Sequence, residues 1–185
     1  DTSDPARNPH TDMIDAQLTT EIFGLFAPTR PDYALKMAQL PIHTTARDNA
    51  AWAAQFYVVM YSLVSAVDTT WSPQEQTQWM AQQARSVLPA ESYVADMYDF
   101  VWQSYQHQQP WEEVRDALYQ RYQVEQAAGY DITSRELYCN GCFAAGINFG
   151  ASLISLFYGE GDLQETIKLA VLMLSLIHIS EPTRP

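Results

Sequence analysis

One segment near the C-terminal end of the chain is apolar on almost every side of a helix. Between Phe143 and Tyr158 the polar side chains are Asn148, Ser152 and Ser155. Their spacing of i, i+4 and i+7 places them on one line of an otherwise apolar helix. The segment is shorter than the about 20 apolar residues that a membrane span needs. We therefore expect it to be a buried helix at the centre of a helical bundle.

A second segment, from Asp48 to about Val67, is also apolar nearly all round and predicts another buried helix, with Asp48 as its cap. The other predicted helices run from Asp12 to Pro28, from Asp32 to Gln39, from Ser72 to about Val87, from Glu91 to His107, from Trp111 to about Ala127, and from Asp162, behind a C-terminal Gly159, to Met173. The stretch 40–45 is predicted to be a loop because it contains a proline. No segment alternates with period two for long enough to predict a strand, so the fold class is all-α.

The first predicted helix has two faces of different chemistry. We expect its apolar face to lie in the core; it consists of Ile14, Leu18, Ile22 and Leu25. The neighbouring line is polar but uncharged apart from one carboxylate, and it consists of Gln17, Thr20, Glu21 and Gly24. A solvated helix more often carries Lys and Glu along such a line. Both a satisfied helix surface and the wall of a cleft are compatible with this pattern.

Length and charge restrict the classes of function. With 185 residues and 47% hydrophobic content, the chain is long enough for one domain with a core. The net charge of −12 argues against binding to duplex nucleic acid, which relies on Lys and Arg. An anionic ligand would need metal ions, helix N-termini or backbone amides to supply positive potential. Because the chain opens on Asp1 rather than Met, we expect it to begin within a gene.

The two cysteines form a Cys139-x-x-Cys142 motif. So few cysteines predict a reducing, cytoplasmic compartment without a disulfide framework. A redox motif would need a preceding strand, which is not predicted here. A zinc site would need two further ligands from His10, His43, His107 or His178, none of them at paired spacing. We expect small buried residues that begin a tightly packed helix.

Three acidic pairs are also candidates for acid–base chemistry: Asp12 with Asp15, Asp96 with Asp99, and Glu112 with Glu113. Carboxylates near the beginning of a helix are more often caps or partners of the helix dipole. We therefore assign no catalytic residue in this chain.

The segment FYGEGDLQETIKLAV, residues 157–171, resembles a conserved region of the ADP-ribosylglycohydrolase family. There a buried helix ends in a G-x-G-D-type turn, and an amphipathic helix leads into the metal-binding motif D-x-D-[ST]. The pieces IDAQLTTEIFG and PIHTTA are similar as well, and the resemblance extends over nearly all of residues 12–173. The late D-x-D-[ST] motif and the early T-D-D motif of the family are absent from this chain.

For the fold, the resemblance implies an orthogonal multi-helix bundle of the ADP-ribosylglycohydrolase type, present in part. Residues 12–173 would form this partial domain, and residues 1–11 would be a loop from a missing N-terminal part. The last twelve residues, LSLIHISEPTRP at 174–185, differ from their surroundings and resemble the translated adapter sequence that ends some metagenomic gene fragments. We expect them to be a non-native tail with few core contacts.

For function, the resemblance implies a hydrolase that cleaves the glycosidic bond between ADP-ribose and a modified side chain or small acceptor. Its partners would be an ADP-ribosylated protein or small molecule, with neither nucleic acid nor membrane. Two divalent ions, usually Mg²⁺, serve the intact family member, but their ligands lie outside this chain, which is expected to be inactive by itself.

The resemblance also implies substrate-binding residues, carried over to Gln17, Thr20, Glu21, Thr44, Thr45 and Asn148. The PIHTTA loop departs from the family pattern, since Ala46 stands where relatives often have a His. Two alternatives stay open: a non-catalytic α-helical ligand-binding or protein-interaction module, and a CxxC redox protein.

Overall fold

The computed structural model describes residues 4, 6–8, 10–131 and 142–179, of which positions 174–179 are described as helical backbone only. In this part of the chain the secondary structure is helical, and the prediction of an all-α fold is confirmed. The α-helices are α1 (Asp15–Thr19), α2 (Ile22–Phe26), α3 (Pro31–Thr45), α4 (Asp48–Leu63), α5 (Pro73–Ala84), α6 (Tyr93–Gln106), α7 (Trp111–Leu118), α8 (Ala145–Tyr158) and α9 (Leu163–Ile179). Among the described residues, no helix has both the length and the apolarity that crossing a membrane requires.

The two helices predicted to be most buried, α4 and α8, lie at the centre of the bundle. Helix α4 contacts α1, α2 and α3 on one side and α5, α6 and α8 on the other. Helix α8 contacts α4 to α7 and α9. Their nearly uniform apolarity is what allows neighbours on every side, because each face of the helix loses contact with water.

The core has two parts of different composition. Helices α1 to α4 pack mainly through alanines, which let the helix backbones approach one another closely. Helices α4 to α9 pack around large side chains, with Phe56, Phe149, Phe157 and Tyr122 fully buried. Helices α4 and α8 contribute residues to both parts of the core. The place where α1 lies beside α4 and α8 is therefore at the boundary between the alanine-rich part and the part with large side chains.

The first predicted helix is in fact two short helices, and its faces are reversed. Leu18, Ile22 and Leu25, predicted to lie in the core, are exposed to 61%, 44% and 47%. The buried side carries small and polar residues instead, namely Ala16, Gln17, Thr20 and Gly24. The reason is the close approach of α2 to α4, which leaves no room for a large side chain at the contact.

Replacing Gly24 by alanine tests this close approach. A Cβ atom at this position would lie 2.4 Å from the Val58 carbonyl oxygen and 2.7 Å from the Ser62 amide nitrogen. Because both are backbone atoms, the helices would have to separate, and we expect a loss of about 1–3 kcal/mol in unfolding free energy. Urea unfolding measures it, with Leu25→Ala as the matched control, which should cost less than about 1 kcal/mol. If Leu25→Ala lost more unfolding free energy than Gly24→Ala, Leu25 would have to lie in the core, as hydrophobic periodicity predicts.

Helix α3 is longer than predicted because it continues through Pro41 to Thr45. The prediction of a loop at 40–45 was therefore wrong. Pro41 removes one backbone donor from the helix but does not end it, since Ala34, Ala38 and Ile42 keep that face buried against α4. Asp48 was also assigned wrongly, because it is the first residue of α4 and Arg47 occupies the N-cap position.

Two other start signals read from short sequence patterns are confirmed. Ser72 and Glu75 form a reciprocal capping box at α5, and the Asp162 side chain accepts a 2.8 Å hydrogen bond from the Glu165 amide at α9. The α8 terminus differs in detail from the prediction. Gly159 follows the helix with a right-handed φ of −73°, and the left-handed positions are Glu160 and Gly161.

Helix α9 extends as backbone to Ile179, six positions into the segment predicted to be a non-native tail. Leu169 and Met173 form its buried side, whereas Ile167 and Val171 are exposed to 55% and 62%. The side chains of the tail, and its residues 180–185, lie outside the described part, so its origin and its core contacts stay predictions.

The acidic residues of α6 have structural partners. Asp96 accepts hydrogen bonds from Arg121 at 3.0 Å and from the buried Tyr122 hydroxyl at 2.6 Å. Asp99 accepts two hydrogen bonds from Arg85, at 2.9 and 2.8 Å. These pairs connect α6 to the end of α5 and to a π-helical turn, Tyr119–Val124, that follows α7. They hold neighbouring helices together through charged hydrogen bonds.

Candidate functional site

A backbone contact beside the candidate site joins the residues just before α1 to those just before α8. Met13 and Ala144 form an isolated antiparallel bridge. The Ile14 amide donates to the Phe143 carbonyl at 2.9 Å, and the Ala145 amide donates to the Asp12 carbonyl at 2.8 Å. This bridge fixes the beginning of α1 beside the beginning of α8.

Next to the bridge, a pocket of about 230 Å³ lies between α1, α4 and α8. It is lined by Ile14, Gln17, Leu18, Glu21, Tyr57, Tyr61, Asn148 and Ser152. Three of the six predicted substrate-binding residues, Gln17, Glu21 and Asn148, are thus brought together although they are far apart in the sequence.

Two amide side chains are held in fixed orientations at this pocket. Gln17 donates from Nε2 to the Ala145 carbonyl at 3.2 Å. Asn148 donates from Nδ2 to the carbonyls of Cys142 and Ala144, both at 2.8 Å. Because the amide nitrogens are engaged by the backbone, the oxygens Oε1 of Gln17 and Oδ1 of Asn148 remain as acceptors.

Two buried oxygen atoms at the pocket accept no hydrogen bond in the part of the chain that the structure describes. They are Oε1 of Gln17 and Oε2 of Glu21. Gln17 is only 8% exposed, so water does not reach its side chain freely. A buried acceptor without a donor costs about 1–3 kcal/mol, which a ligand with a donor group would recover. The pocket therefore presents acceptors to hydroxyl or amino groups.

Aromatic side chains form the other wall. Tyr57 and Tyr61 lie one turn apart on α4, and the Tyr57 hydroxyl is hydrogen-bonded to Ser152 of α8. Burial raises the pKa of Tyr57 well above its ordinary value near 10, and the hydrogen bond to Ser152 opposes this only in part. The Tyr57 phenol thus stays neutral at physiological pH and contributes an uncharged polar group.

The other three predicted substrate-binding residues lie elsewhere. Thr20 is buried, and its hydroxyl donates to the Ala16 carbonyl at 2.6 Å within α1. Thr44 and Thr45 belong to the last turn of α3, where the Thr44 hydroxyl donates to the Leu40 carbonyl at 3.0 Å. None of the three lines the α1–α4–α8 pocket. Their role in binding stays a prediction from the resemblance.

Sequence reasoning missed the pocket residues of α4. The apolar pattern of α4 predicted only burial for Tyr57 and Tyr61, although their i, i+4 spacing places them on one helix face. Ser152 was identified as part of the polar line of α8, and that line does lead from Asn148 into the pocket. A tyrosine pair on an otherwise alanine-rich helix was the available signal.

The expectation that the cysteines form no disulfide was wrong. Cys142, just before α8, is disulfide-bonded. The sequence contains one other cysteine, Cys139, which lies outside the described residues. The low number of cysteines therefore does not support a reducing compartment, and the cytoplasmic location stays a prediction.

The residues of this site do not suit the magnesium ions that the resemblance implies. Within residues 10–131 and 142–173, no three His, Cys, Asp or Glu side chains lie close enough together to hold a metal ion. Glu21 is the single carboxylate that lines the α1–α4–α8 pocket. Mg²⁺ prefers octahedral oxygen ligands, often with more than one carboxylate or phosphate among them. We assign no metal and no catalytic step to these residues.

The comparisons with known proteins returned no match. No protein-family model, no curated protein and no solved structure is significantly similar to this chain.

Proposed function

We propose that the chain is part of a hydrolase of the ADP-ribosylglycohydrolase type, and that the α1–α4–α8 pocket receives a ribose ring of ADP-ribose. The observation that supports this is the convergence of Gln17, Glu21 and Asn148 in one pocket with two unpaired acceptor oxygens. The resemblance implies a substrate-binding role for the same three residues.

The chemistry of the pocket favours a sugar over a phosphate. Gln17 and Glu21 present acceptors, whereas ribose hydroxyls donate and phosphate oxygens mainly accept. The carboxylate of Glu21 would also repel a pyrophosphate, and the chain carries a net charge of −12. The phosphates of ADP-ribose would therefore lie outside this pocket.

The size of the pocket agrees with a single ring. Its volume of about 230 Å³ is below the roughly 300–1,000 Å³ of sites that enclose drug-sized ligands. The rings of Tyr57 and Tyr61 supply an apolar wall against which one face of a sugar can pack.

In this proposal the hydrolytic step belongs to a longer protein that also carries the two metal-binding motifs of the family. The part described here holds the ligand, orients it through fixed amide oxygens and excludes water from one side of it. The alternative is a helical module that binds such a ligand without hydrolysing it, and it would use the same pocket.

Calorimetric titration with ADP-ribose tests the proposal. Glu21→Gln keeps the size of the side chain but removes the charged acceptor, so we expect binding to weaken about 10- to 100-fold. Gln17→Leu removes a neutral acceptor and should weaken binding about 2- to 10-fold. Gln39→Leu, at an exposed position of α3, is the matched control and should leave the affinity unchanged.

Inorganic pyrophosphate provides the control ligand, because it supplies a diphosphate group without sugar hydroxyl groups. We expect no binding of pyrophosphate at the α1–α4–α8 pocket. Equal affinity for both ligands, or ADP-ribose binding that Glu21→Gln leaves intact, would contradict the assignment. The longer protein is then incubated with an ADP-ribosylated peptide. Release of ADP-ribose would indicate the hydrolase, and binding without release would indicate the binding module.

A further inference from the structure

A second cavity, of about 520 Å³, lies at the C-terminal end of α8 and shares no residue with the α1–α4–α8 pocket. It is bordered by the beginning of α5, the turn between α6 and α7, and the turn between α8 and α9. Its lining consists of Gln74, Tyr105, Gln106, Gln108, Gln109, Pro110, Trp111, Tyr158 and Glu160. From this composition we infer that the cavity is a binding site for a neutral saccharide.

The polar groups on one wall are already arranged by contacts among three helices. The Gln74 amide donates to the Tyr105 hydroxyl at 2.5 Å and to the Glu160 carboxylate at 3.2 Å. The Tyr105 hydroxyl in turn donates to the same Glu160 oxygen at 3.3 Å. This network connects α5, α6 and the α8–α9 turn, so the groups that would bind a ligand are pre-organised.

The aromatic side chains of the cavity are held in place as well. The Tyr158 hydroxyl donates to the Gln109 carbonyl at 2.9 Å, and its ring meets that of Tyr105 edge-on at 5.2 Å. Trp111 is the first residue of α7, and the Arg115 guanidinium lies 5.3 Å from the centre of the Trp111 ring. These rings are partly exposed and supply the flat apolar surface that a sugar ring needs.

Two residues on the rim have backbone conformations that are unusual for their side chains. Gln108 has a φ of 56° and Glu160 a φ of 50°, both in the left-handed region that glycine prefers. The next residue after Glu160, Gly161, also has a positive φ, of 81°. Both positions follow the C-cap of a helix, α6 and α8 respectively, where a left-handed residue commonly ends the helix. These helix ends place Gln108 and Glu160 at the cavity.

The ligand class follows from the charges and donors that are present. Among the described residues that line the cavity there is no Lys, Arg or His, and Glu160 adds a negative charge, so an anion is disfavoured. The Glu160 carboxylate already accepts from Gln74 and Tyr105, which lowers its preference for an added cation. The exposed side chains of Gln106, Gln108 and Gln109 offer paired donors and acceptors, which match neighbouring hydroxyl groups. A polyhydroxylated neutral ring with an apolar face meets all three conditions.

Saturation-transfer NMR with the chain as it stands tests this inference. The neutral probes are maltotriose and cellotriose, with choline as the cationic probe and glucose 6-phosphate as the anionic one. We expect transfer to a neutral probe, an at least tenfold weaker affinity in Trp111→Ala, and no change in Gln103→Ala, an exposed glutamine of α6 outside the cavity. If Trp111→Ala does not fold, Gln109→Ala removes an exposed amide of the same cavity and should also weaken binding.

Glu160→Gln separates a saccharide from a cation, because the substitution keeps a hydrogen-bonding group and removes the charge. A saccharide should lose about threefold or less in affinity, since the remaining amide still bonds to hydroxyl groups. Choline binding that Glu160→Gln abolishes, binding of glucose 6-phosphate alone, or no binding of any probe would each overturn the inference. Gln17→Leu should not affect the saccharide, so this result is independent of the proposed ADP-ribose pocket.

Discussion

Replacing Phe56 by alanine is expected to lower the free energy of unfolding by about 3–5 kcal/mol. Phe56 is fully buried on α4. Its ring centre lies 5.1 Å from that of Phe149 on α8 and 5.8 Å from that of Tyr98 on α6. The side chain therefore fills the space in which the two central helices meet α6, and its removal leaves a cavity that these rigid neighbours cannot close. Typical domains have unfolding free energies of about 5–15 kcal/mol, so the expected loss is a large fraction of the total.

Urea unfolding followed by circular dichroism measures the loss, and Phe26→Ala is the matched control. Phe26 is 63% exposed at the end of α2, and its ring meets Phe23 edge-on at 6.1 Å. We expect this control to cost less than about 1 kcal/mol, because most of its surface is already in water. Similar losses for the two variants would show that α4 is not the centre of the core.

The centrality of α4 and α8 could be predicted from the sequence because a helix without a polar face has to be surrounded. The information lies within each segment and does not depend on the partner. The start of α5 was predictable for the same reason, since the capping box of Ser72 and Glu75 forms within four residues. Local signals of this kind survive whatever tertiary structure is built around them.

The orientation of α1 and α2 could not be predicted from hydrophobic periodicity. Periodicity favours the large apolar residues as the inward face, but the close contact with α4 admits only small ones. Gly24 faces α4 where a single methyl group would lie 2.4 Å from a backbone oxygen. Leu18 and Leu25 are consequently turned outward. The distance between two helices depends on both of them, so it cannot be predicted from the sequence of one helix alone.

Three of the residues that line the α1–α4–α8 pocket were named from the sequence, but their convergence was not predicted. Nothing in the local pattern connects Gln17 and Glu21 to Asn148, because the bridge between Met13 and Ala144 creates their proximity. The resemblance implied a substrate-binding role for Thr44, on a stretch that was predicted to be a loop because of Pro41. The packing of Ala38 and Ile42 against α4 outweighs the lost hydrogen bond, and α3 continues.

The second cavity was not predicted, since its residues come from three separate turns. The glutamines of the segment 103–109 were assigned to a helix and the turn after it, without a role for their side chains. What brings them to a common cavity is the contact of Tyr158 and Glu160 with the end of α6. Side-chain contacts between turns that are distant in sequence carry no local signature.

Stability should fall steeply above about pH 10, the ordinary pKa of tyrosine. Burial raises the pKa of Tyr158 to about 12 and those of Tyr57, Tyr98, Tyr122 and Tyr130 further. The folded state thus keeps protons that the unfolded state releases. Stability is fully present below about pH 10 and is lost as the pH rises toward the folded pKa values. Each deeply buried tyrosine that stays protonated contributes a slope of about 1.4 kcal/mol per pH unit, whereas the more exposed Tyr158 contributes less.

Urea unfolding at several values between about pH 8 and pH 11 measures this slope, and Tyr98→Phe provides a matched variant. In the described part of the chain the Tyr98 hydroxyl is buried without a hydrogen-bond partner. Phenylalanine therefore keeps the ring contacts with Phe56 and Phe157 and removes only the titrating group. We expect Tyr98→Phe to be at least as stable as the parent at neutral pH and to lose less stability on alkalinisation. If the parent and Tyr98→Phe lost stability equally between neutral and alkaline pH, the Tyr98 phenol would have to reach solvent in the folded state, and the packing of α6 against α4 and α8 would be incorrect.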